Sequence, residues 1–184
     1  MPNIQEFSKV SVLIVGAGPA GLAAAIRLKA LRPGLDVCVI DKACGSGHHN
    51  LSGAVLEKEP LQSLLDAAAP GWENTDEAKT VLANRIDRDD ILFMPCPNKA
   101  INVFGAISAA KALGMGWGQM AHHGDYSVSI SKLTRWLADI ARKKGVELLH
   151  GFAADSLILN EAGTASGVRL VDQGVDKEGE HQPN

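Results

Sequence analysis

Three glycines lie close together near the start of the chain, in the segment G-A-G-P-A-G at residues 16 to 21. Their spacing is typical of a turn between a strand and a helix whose backbone N–H groups bind a diphosphate. Gly16 would permit the tight turn, Gly18 would let the backbone approach the phosphates, and Gly21 would let the helix pack closely on the strand. The segment therefore predicts an anion site at the beginning of a helix.

An acidic residue follows at the distance that a dinucleotide site requires. Asp41 lies twenty residues beyond Gly21, where its carboxylate could accept hydrogen bonds from both hydroxyls of an adenosine ribose. A structural turn with a solvated aspartate is the alternative, but motif, context and acid together favour dinucleotide binding. FAD and the nicotinamide cofactors share the same ADP half, so these residues alone leave both open.

The elements around these residues are those of an α/β fold. The aliphatic run Val10 to Val15 predicts a buried parallel strand, Pro19 to Leu31 predicts a helix, and Asp36 to Ile40 predicts a second strand. Later patterns predict a helix over 57–69, a strand over 126–130, a helix over 131–144 capped by Ser131, a strand over 146–149, and a hairpin of 157–159 with 168–171. The order predicts a parallel sheet with helical crossovers.

Composition bounds the function of the chain. With 184 residues, 46% of them hydrophobic and 21% charged, it can form one globular core. Acidic and basic residues are interspersed, and the formal net charge is −3, which argues against nucleic acid as a partner. The N-terminus carries no recognisable targeting signal, so we expect a cytoplasmic protein.

The stretch from 100 to 121 is almost uncharged, but it contains Lys111 and four glycines. These residues disfavour a membrane span and predict a buried or interfacial element. Met115 and Trp117 could contact lipid or a quinone, although packing inside a second lobe is the preferred interpretation.

The remaining reactive residues predict no further chemistry. Cys38, Cys44 and Cys96 are odd in number and irregularly spaced, which favours reduced thiols over disulfides, a zinc motif or a redox pair. The two side chains of each adjacent pair, His48-His49 and His122-His123, diverge and cannot bind one metal together. No cysteine or acidic residue lies at a convincing ligand spacing from either pair. We predict no catalytic acid or base and no metal site.

Two parts of the chain resemble the electron transfer flavoprotein-ubiquinone oxidoreductase family. The first is residues 12 to 56, with V-L-I-V-G-A-G-P-A-G-L, V-C-V-I-D-K and the more discriminating L-S-G-A-V-L. The second begins with H-G-D-Y-S-V-S-I-S-K-L at His123 and continues through G-V-E-L-L-H-G-F-A-A-D. Residues 74 to 120 do not follow the family pattern, so a geranylgeranyl-reductase-like flavoprotein is a second possibility.

The resemblance implies a Rossmann-like FAD-binding domain of the glutathione-reductase type, with a parallel sheet, a β-hairpin or meander and an inserted partial second lobe. The FAD-binding domain would comprise 1–56 and 125–184, and the insertion 57–124. The implied activity is that of an FAD-dependent oxidoreductase that passes electrons from electron-transfer flavoprotein to ubiquinone, with peripheral contact to the inner membrane. Another FAD-dependent reductase or monooxygenase, a NAD-binding dehydrogenase domain and a fragment that binds no cofactor are the alternatives.

The resemblance also implies which residues contact FAD. The pyrophosphate would be bound by Gly16, Gly18, Pro19, Ala20 and Gly21; the ribose by Asp41, with Lys42 beside it; the flavin and its phosphates by His49, Leu51, Ser52, Gly53 and Ala54; and the adenine by Ala154. Ser52 has no G-x-S-x-G surroundings, so we expect it to form hydrogen bonds rather than to act as a nucleophile.

The sequence ends at Asn184, before the segment that completes the flavin site in this family and before the four cysteines that ligate its 4Fe-4S cluster. The first strand would therefore lack a neighbour on one side and form a sheet edge. We expect the chain alone to retain FAD weakly or not at all, and to be inactive by itself.

Overall fold

A computed structural model describes residues 8–51, 53–114 and 122–172. The strands are β1 (Val12–Val15), β2 (Val37–Asp41), β3 (Ala54–Leu56), β4 (Leu92–Cys96), β5 (Lys99–Asn102), β6 (Tyr126–Val128), β7 (Glu147–His150), β8 (Ala154–Leu159) and β9 (Ala165–Leu170). The α-helices are α1 (Pro19–Leu31), α2 (Lys58–Ala68), α3 (Asp76–Val81), α4 (Phe104–Ala112) and α5 (Ile130–Lys143). A short 3₁₀ turn spans Trp72–Asn74.

A three-stranded parallel sheet with the order β1-β2-β7 forms the centre of the molecule. β2 lies in the middle, and its residues Val37, Cys38, Val39 and Ile40 are all buried. Burial on both faces explains why this strand is a continuous aliphatic run without alternation. The strand, helix, strand unit that the sequence predicts is confirmed, and β1 is the outer strand of the described sheet.

Helices α1, α2 and α5 pack together, and the core of the protein lies between them and the sheet. Val37 and Val39 of β2 belong to this core. The predicted apolar stripe of α5, which is Leu133, Leu137 and Ile140, is buried in it. The rings of Trp72 and Trp136 meet there with centroids 5.9 Å apart and planes tilted by 50°, which is within the range of favourable aromatic contacts.

Three antiparallel pairs complete the described structure: β3 with β6, β4 with β5, and β8 with β9. The last pair confirms the predicted hairpin. Its turn is fastened by the side-chain oxygen of Asn160, which accepts the N–H groups of Ala162 and Thr164 at 3.0 and 2.9 Å. The pairing of β3 with β6 joins two segments that are far apart in the chain.

The predicted cap of the later helix is wrong. Helix α5 begins at Ile130 with Ser129 at the N-cap position, so Ser131 lies inside the first turn. The Ser131 hydroxyl instead donates a hydrogen bond to the carbonyl oxygen of Gly47 at 2.6 Å. Ser131 therefore contributes a contact to a distant loop, and the N-cap position belongs to Ser129.

Part of the predicted apolar element at 100–121 forms the end of β5 and helix α4. Met115, Trp117 and Ser52 lie outside the described residues. Among the described helices, none combines the length and the apolar character that crossing a bilayer requires.

Candidate dinucleotide-binding site

The site begins with the turn between β1 and α1. Gly16 has a φ of +107°, which residues with a side chain rarely adopt, and its N–H donates to the carbonyl oxygen of Ile40 at 2.8 Å. A Cβ atom at Gly21 would overlap the carbonyl oxygen of Gly16 and lie 3.2 Å from Ile14 Cγ2. The glycines at 16 and 21 are therefore required to bring the start of α1 onto the end of β1.

The first turn of α1 can accept an anion. Gly18 is the N-cap residue, Pro19 follows at the first helical position, and within the described part of the chain no side chain caps the helix. The first turn contains no acidic residue. A Cβ at Gly18 would meet no described atom within 4 Å, so the backbone can be approached closely there. Free N–H groups and the positive end of a 13-residue helix stabilise a phosphate at this position.

Asp41 is fixed beside this turn by two hydrogen bonds. Its Oδ2 accepts the N–H of Ala17 at 2.6 Å, and its Oδ1 accepts the N–H of Ala43 at 2.8 Å. A carboxylate can accept about four hydrogen bonds, so both oxygens keep capacity for a sugar hydroxyl. The carboxylate is partly exposed, and it is oriented before any ligand arrives.

The loop after Asp41 forms one wall of a cleft over the turn. The residues that line the cleft are Ala17, Gly18, Asp41, Ala43, Gly45, Gly47, His48, His49 and Asn50. The cavity volume of the cleft is about 50 Å³, which is far below the roughly 300–1,000 Å³ of complete small-molecule sites. The cleft can therefore hold part of a dinucleotide.

Side chains from later in the sequence hold this loop in place. Ser46 Oγ and His150 Nε2 lie 2.8 Å apart, and Ser131 bonds Gly47 as described above. A Cβ at Gly47, whose φ is +84°, would lie 2.6 Å from the backbone oxygen of Ser131. The connection after β7 adds a hydrogen bond of 2.9 Å from the N–H of Phe152 to the carbonyl oxygen of Asp41. The loop is thus fastened to both α5 and β7.

Two titratable groups near the sheet have shifted pKa values. Burial lowers the pKa of His150, and the positive charge of Arg142 lowers it further, while Asp41 opposes the shift. Burial raises the pKa of the Cys38 thiol, and the negative charge of Glu147 adds to the effect. Both groups therefore favour their neutral forms.

The structure brings some of the predicted site residues together. Gly18, Asp41 and His49 line the cleft, and Gly16, Pro19, Ala20 and Gly21 form the turn and the start of α1. The others are not among the lining residues of the cleft: Lys42 is exposed, Leu51 is 89% exposed, Gly53 precedes β3, Ala54 begins β3, and Ala154 begins β8. Contact of these residues with a cofactor stays a prediction.

Sequence reasoning missed the remaining cleft residues, namely Ala17, Ala43, Gly45, Gly47, His48 and Asn50. A signal for them exists in the sequence. Ala17 lies inside the glycine segment after β1, and the other five follow the carboxyl end of β2, where ligands bind in parallel α/β sheets.

A parallel sheet whose first strand turns through glycines into a helix, and whose second strand ends in an acid, defines a dinucleotide-binding Rossmann-like domain. Residues 14–81 match the family described as the NAD(P)-binding Rossmann-like domain. The α/β Rossmann-like fold predicted from the sequence is confirmed.

Within this class, the predicted resemblance to the electron transfer flavoprotein-ubiquinone oxidoreductases is also confirmed. The chain is 38% identical over 179 residues to the electron transfer flavoprotein-ubiquinone oxidoreductase of Pseudomonas aeruginosa, a match that covers 95% of this chain and 30% of that protein. The chain thus spans less than a third of the length of this relative.

Solved structures show the same fold. A geranylgeranyl bacteriochlorophyll reductase-like protein from Thermoplasma acidophilum matches with a TM-score of 0.60 and 24% identity, over 88% of this chain and 34% of that one. Aklavinone-11 hydroxylase, solved in a ternary complex with FAD and aklavinone, matches with a TM-score of 0.52 and 19% identity, over 96% of this chain and 31% of that one.

Proposed function

We propose that this chain binds the ADP half of FAD and forms part of a flavin-dependent oxidoreductase that passes electrons from electron-transfer flavoprotein to ubiquinone. The observation that supports the proposal is the 2.6 Å hydrogen bond from Ala17 N–H to Asp41 Oδ2, which holds the glycine turn against the carboxylate of Asp41. The name of the Pseudomonas relative supports the electron donor and acceptor.

In this proposal the residues of the chain bind and orient the cofactor. The N–H groups at the start of α1 bind the diphosphate, and Asp41 accepts the ribose hydroxyls. The loop that contains His49, and residues 51–54 leading into β3, would lie along the flavin side, while Ala154 would contact the adenine. Bound FAD supplies the electron transfer. No residue is assigned a catalytic role.

The domain division is part of the same proposal. Residues 1–56 and 125–184 would form the FAD-binding domain, and 57–124 the insertion. The pairing of Ala54 with Val128 and of Leu56 with Tyr126 supports this division, because it brings the two ends of the insertion side by side. Insertions are tolerated where their ends meet in this way.

A nicotinamide dinucleotide is the second candidate. It is favoured by the description of the family that matches residues 14–81, which names NAD(P). The ADP site described above would serve either cofactor. The electron transfer flavoprotein-ubiquinone oxidoreductase relative favours FAD, because its match extends over 95% of the chain rather than over the fingerprint alone.

Titration of the chain with ADP, FAD and NADH tests the proposal. Binding is followed by chemical shifts of the backbone amides at 16–21, which report weak as well as tight binding. We expect ADP and FAD to shift the same amides, and FAD to bind more tightly than NADH. Tighter binding of NADH would favour the second candidate.

The matched variants are Asp41→Asn and Asp36→Asn. The first removes the negative charge and replaces one acceptor oxygen with an NH₂ group, which only donates. We expect ADP binding to weaken about tenfold or more, since hydrogen bonds to a charged group are worth roughly 1.5–3 kcal/mol. The second removes the same charge from an exposed residue just before β2 and should leave binding unchanged. Equal affinity of wild type and Asp41→Asn would contradict the proposal.

A further inference from the structure

The loop after β2 places a thiol and an imidazole in contact. Cys44 Sγ and His48 Nδ1 lie 3.1 Å apart, within hydrogen-bond distance for sulfur, and both side chains are exposed. The imidazole ring lies over Gly45, where a Cβ atom would come within 2.8 Å of His48 Nε2. The absence of a side chain at residue 45 therefore permits the contact.

This arrangement is suited to thiol chemistry. A thiol attacks as its thiolate, and an imidazole at hydrogen-bond distance can take the proton as the sulfur attacks. His48 Nδ1 is the acceptor when the ring proton resides on Nε2. Asp41 and His49 are titratable groups that line the same cleft as His48.

The other two cysteines provide comparisons within the same chain. Cys38 is 3% exposed, and the raised pKa of its thiol disfavours reaction. Cys96 is exposed at the end of β4 and, within the described part of the chain, has no hydrogen-bonded histidine. Cys96 is therefore an exposed comparison thiol, and the comparison of wild type with His48→Gln isolates the effect of His48 on Cys44.

We propose that Cys44 and His48 form a reactive thiol site that takes up small disulfides of the glutathione type and thereby closes the dinucleotide cleft. Cys44 Sγ attacks one sulfur of the disulfide as its proton passes to His48, a new S–S bond forms, and the other half leaves as a thiolate that is then protonated. The Cys44 thiol is oxidised and the leaving half is reduced, so no further oxidant is needed.

Closure of the cleft follows from the position of Cys44. Its neighbours on both sides, Ala43 and Gly45, line the cleft, as does His48 itself. Cys44 Sγ lies 3.1 Å from His48 Nδ1, so a tripeptide attached to Cys44 would begin beside the wall of the cleft. This second part rests on the proposed dinucleotide function, whereas the reactivity of the thiol does not.

The first test measures the rate at which glutathione disulfide modifies each cysteine of the 184-residue chain, read by mass spectrometry of its peptides. We expect Cys44 to react faster than Cys96, and His48→Gln to slow Cys44 about three- to tenfold, the range that one hydrogen bond of ordinary net strength supplies. The rate at Cys96 should not change in this variant. The remote exposed substitution His123→Gln is the matched control and should leave both rates unchanged. Equal rates at Cys44 and Cys96, or no effect of His48→Gln, would overturn the thiol site.

The second test repeats the measurement with saturating ADP. We expect ADP to slow modification of Cys44 and not of Cys96, and the glutathionylated chain to bind ADP less tightly. If ADP binds and Cys44 reacts at an unchanged rate, the proposed closure is wrong. If ADP does not bind to the unmodified chain, the dinucleotide function fails, and the first test still decides whether the thiol site exists.

Discussion

The substitution Gly21→Ala tests the contact between α1 and β1 on which the anion site depends. The added Cβ would overlap the carbonyl oxygen of Gly16 and lie 3.2 Å from both the carbonyl carbon of Gly16 and Ile14 Cγ2. Two of these atoms are backbone, so relief requires the helix and the strand to separate by roughly 1 Å, and overpacking of this kind costs about 1–3 kcal/mol. Alanine regains at most about 1 kcal/mol of helix propensity. We therefore expect the free energy of unfolding to fall by up to about 2 kcal/mol.

Urea denaturation followed by circular dichroism measures this loss, and the midpoint of thermal unfolding should fall by up to about 8 °C for a chain of this size. Gly34→Ala is the matched control, because a Cβ there would meet no described atom within 4 Å and the φ of Gly34 is not positive. We expect the control to be neutral or slightly stabilising, since it restricts the unfolded chain. A Gly21→Ala protein as stable as the Gly34→Ala protein would refute the close approach of α1 to the turn.

Two further predictions concern the groups that hold the loop after β2. The pKa of His150 lies below its ordinary value of 6.5, so protonation of this residue favours the unfolded chain. The contribution of neutral His150 to the free energy of unfolding is fully present above about pH 6.5 and is lost as the pH drops below that value. We expect His150→Gln to reduce the difference in free energy of unfolding between about pH 7.5 and about pH 5.5, measured by urea denaturation at both pH values. If the difference is as large in the variant as in the wild type, the pH dependence arises from other groups. Ser131→Ala removes the hydroxyl that bonds Gly47 and should cost about 0.5–1.5 kcal/mol, whereas the exposed Ser156→Ala should cost less than about 0.5 kcal/mol; equal losses in the two variants would show that the Ser131 bond does not hold the loop.

The central part of the fold could be predicted from the sequence because its signals are local. The run V-C-V-I at residues 37–40 is aliphatic on both faces, which only a central parallel strand requires. The stripe of α5 recurs at helical spacing, and the hairpin of β8 and β9 surrounds a turn with glycine at 163. In each case neighbouring residues carry the whole pattern.

The pairs β3 with β6 and β4 with β5 were not predicted, for physical reasons. β3 and β6 have three residues each, and their pairing depends on contacts between distant segments. β4 is L-F-M-P-C, in which every residue is exposed and one is proline, so it shows neither the alternation nor the burial that identifies a strand.

The candidate site divides in the same way. The glycine turn and Asp41 could be found because their spacing is fixed by one strand, helix, strand unit. The location of the loop at 43–50, after the carboxyl end of β2, is indicated by the sequence, but its conformation is not, because Ser46 and Gly47 are held by partners 104 and 84 residues away in the chain. Sequence spacing carries no record of such contacts.

The outer position of β1 has a practical consequence for any solution experiment. In the described sheet, one side of this strand has no neighbour, and Val15 at its end is 56% exposed. A free backbone edge is a template on which another molecule can add a strand, although four residues offer only a short one. Self-association at this edge would place a second molecule next to Gly16, so ligand binding at the glycine turn would depend on the protein concentration.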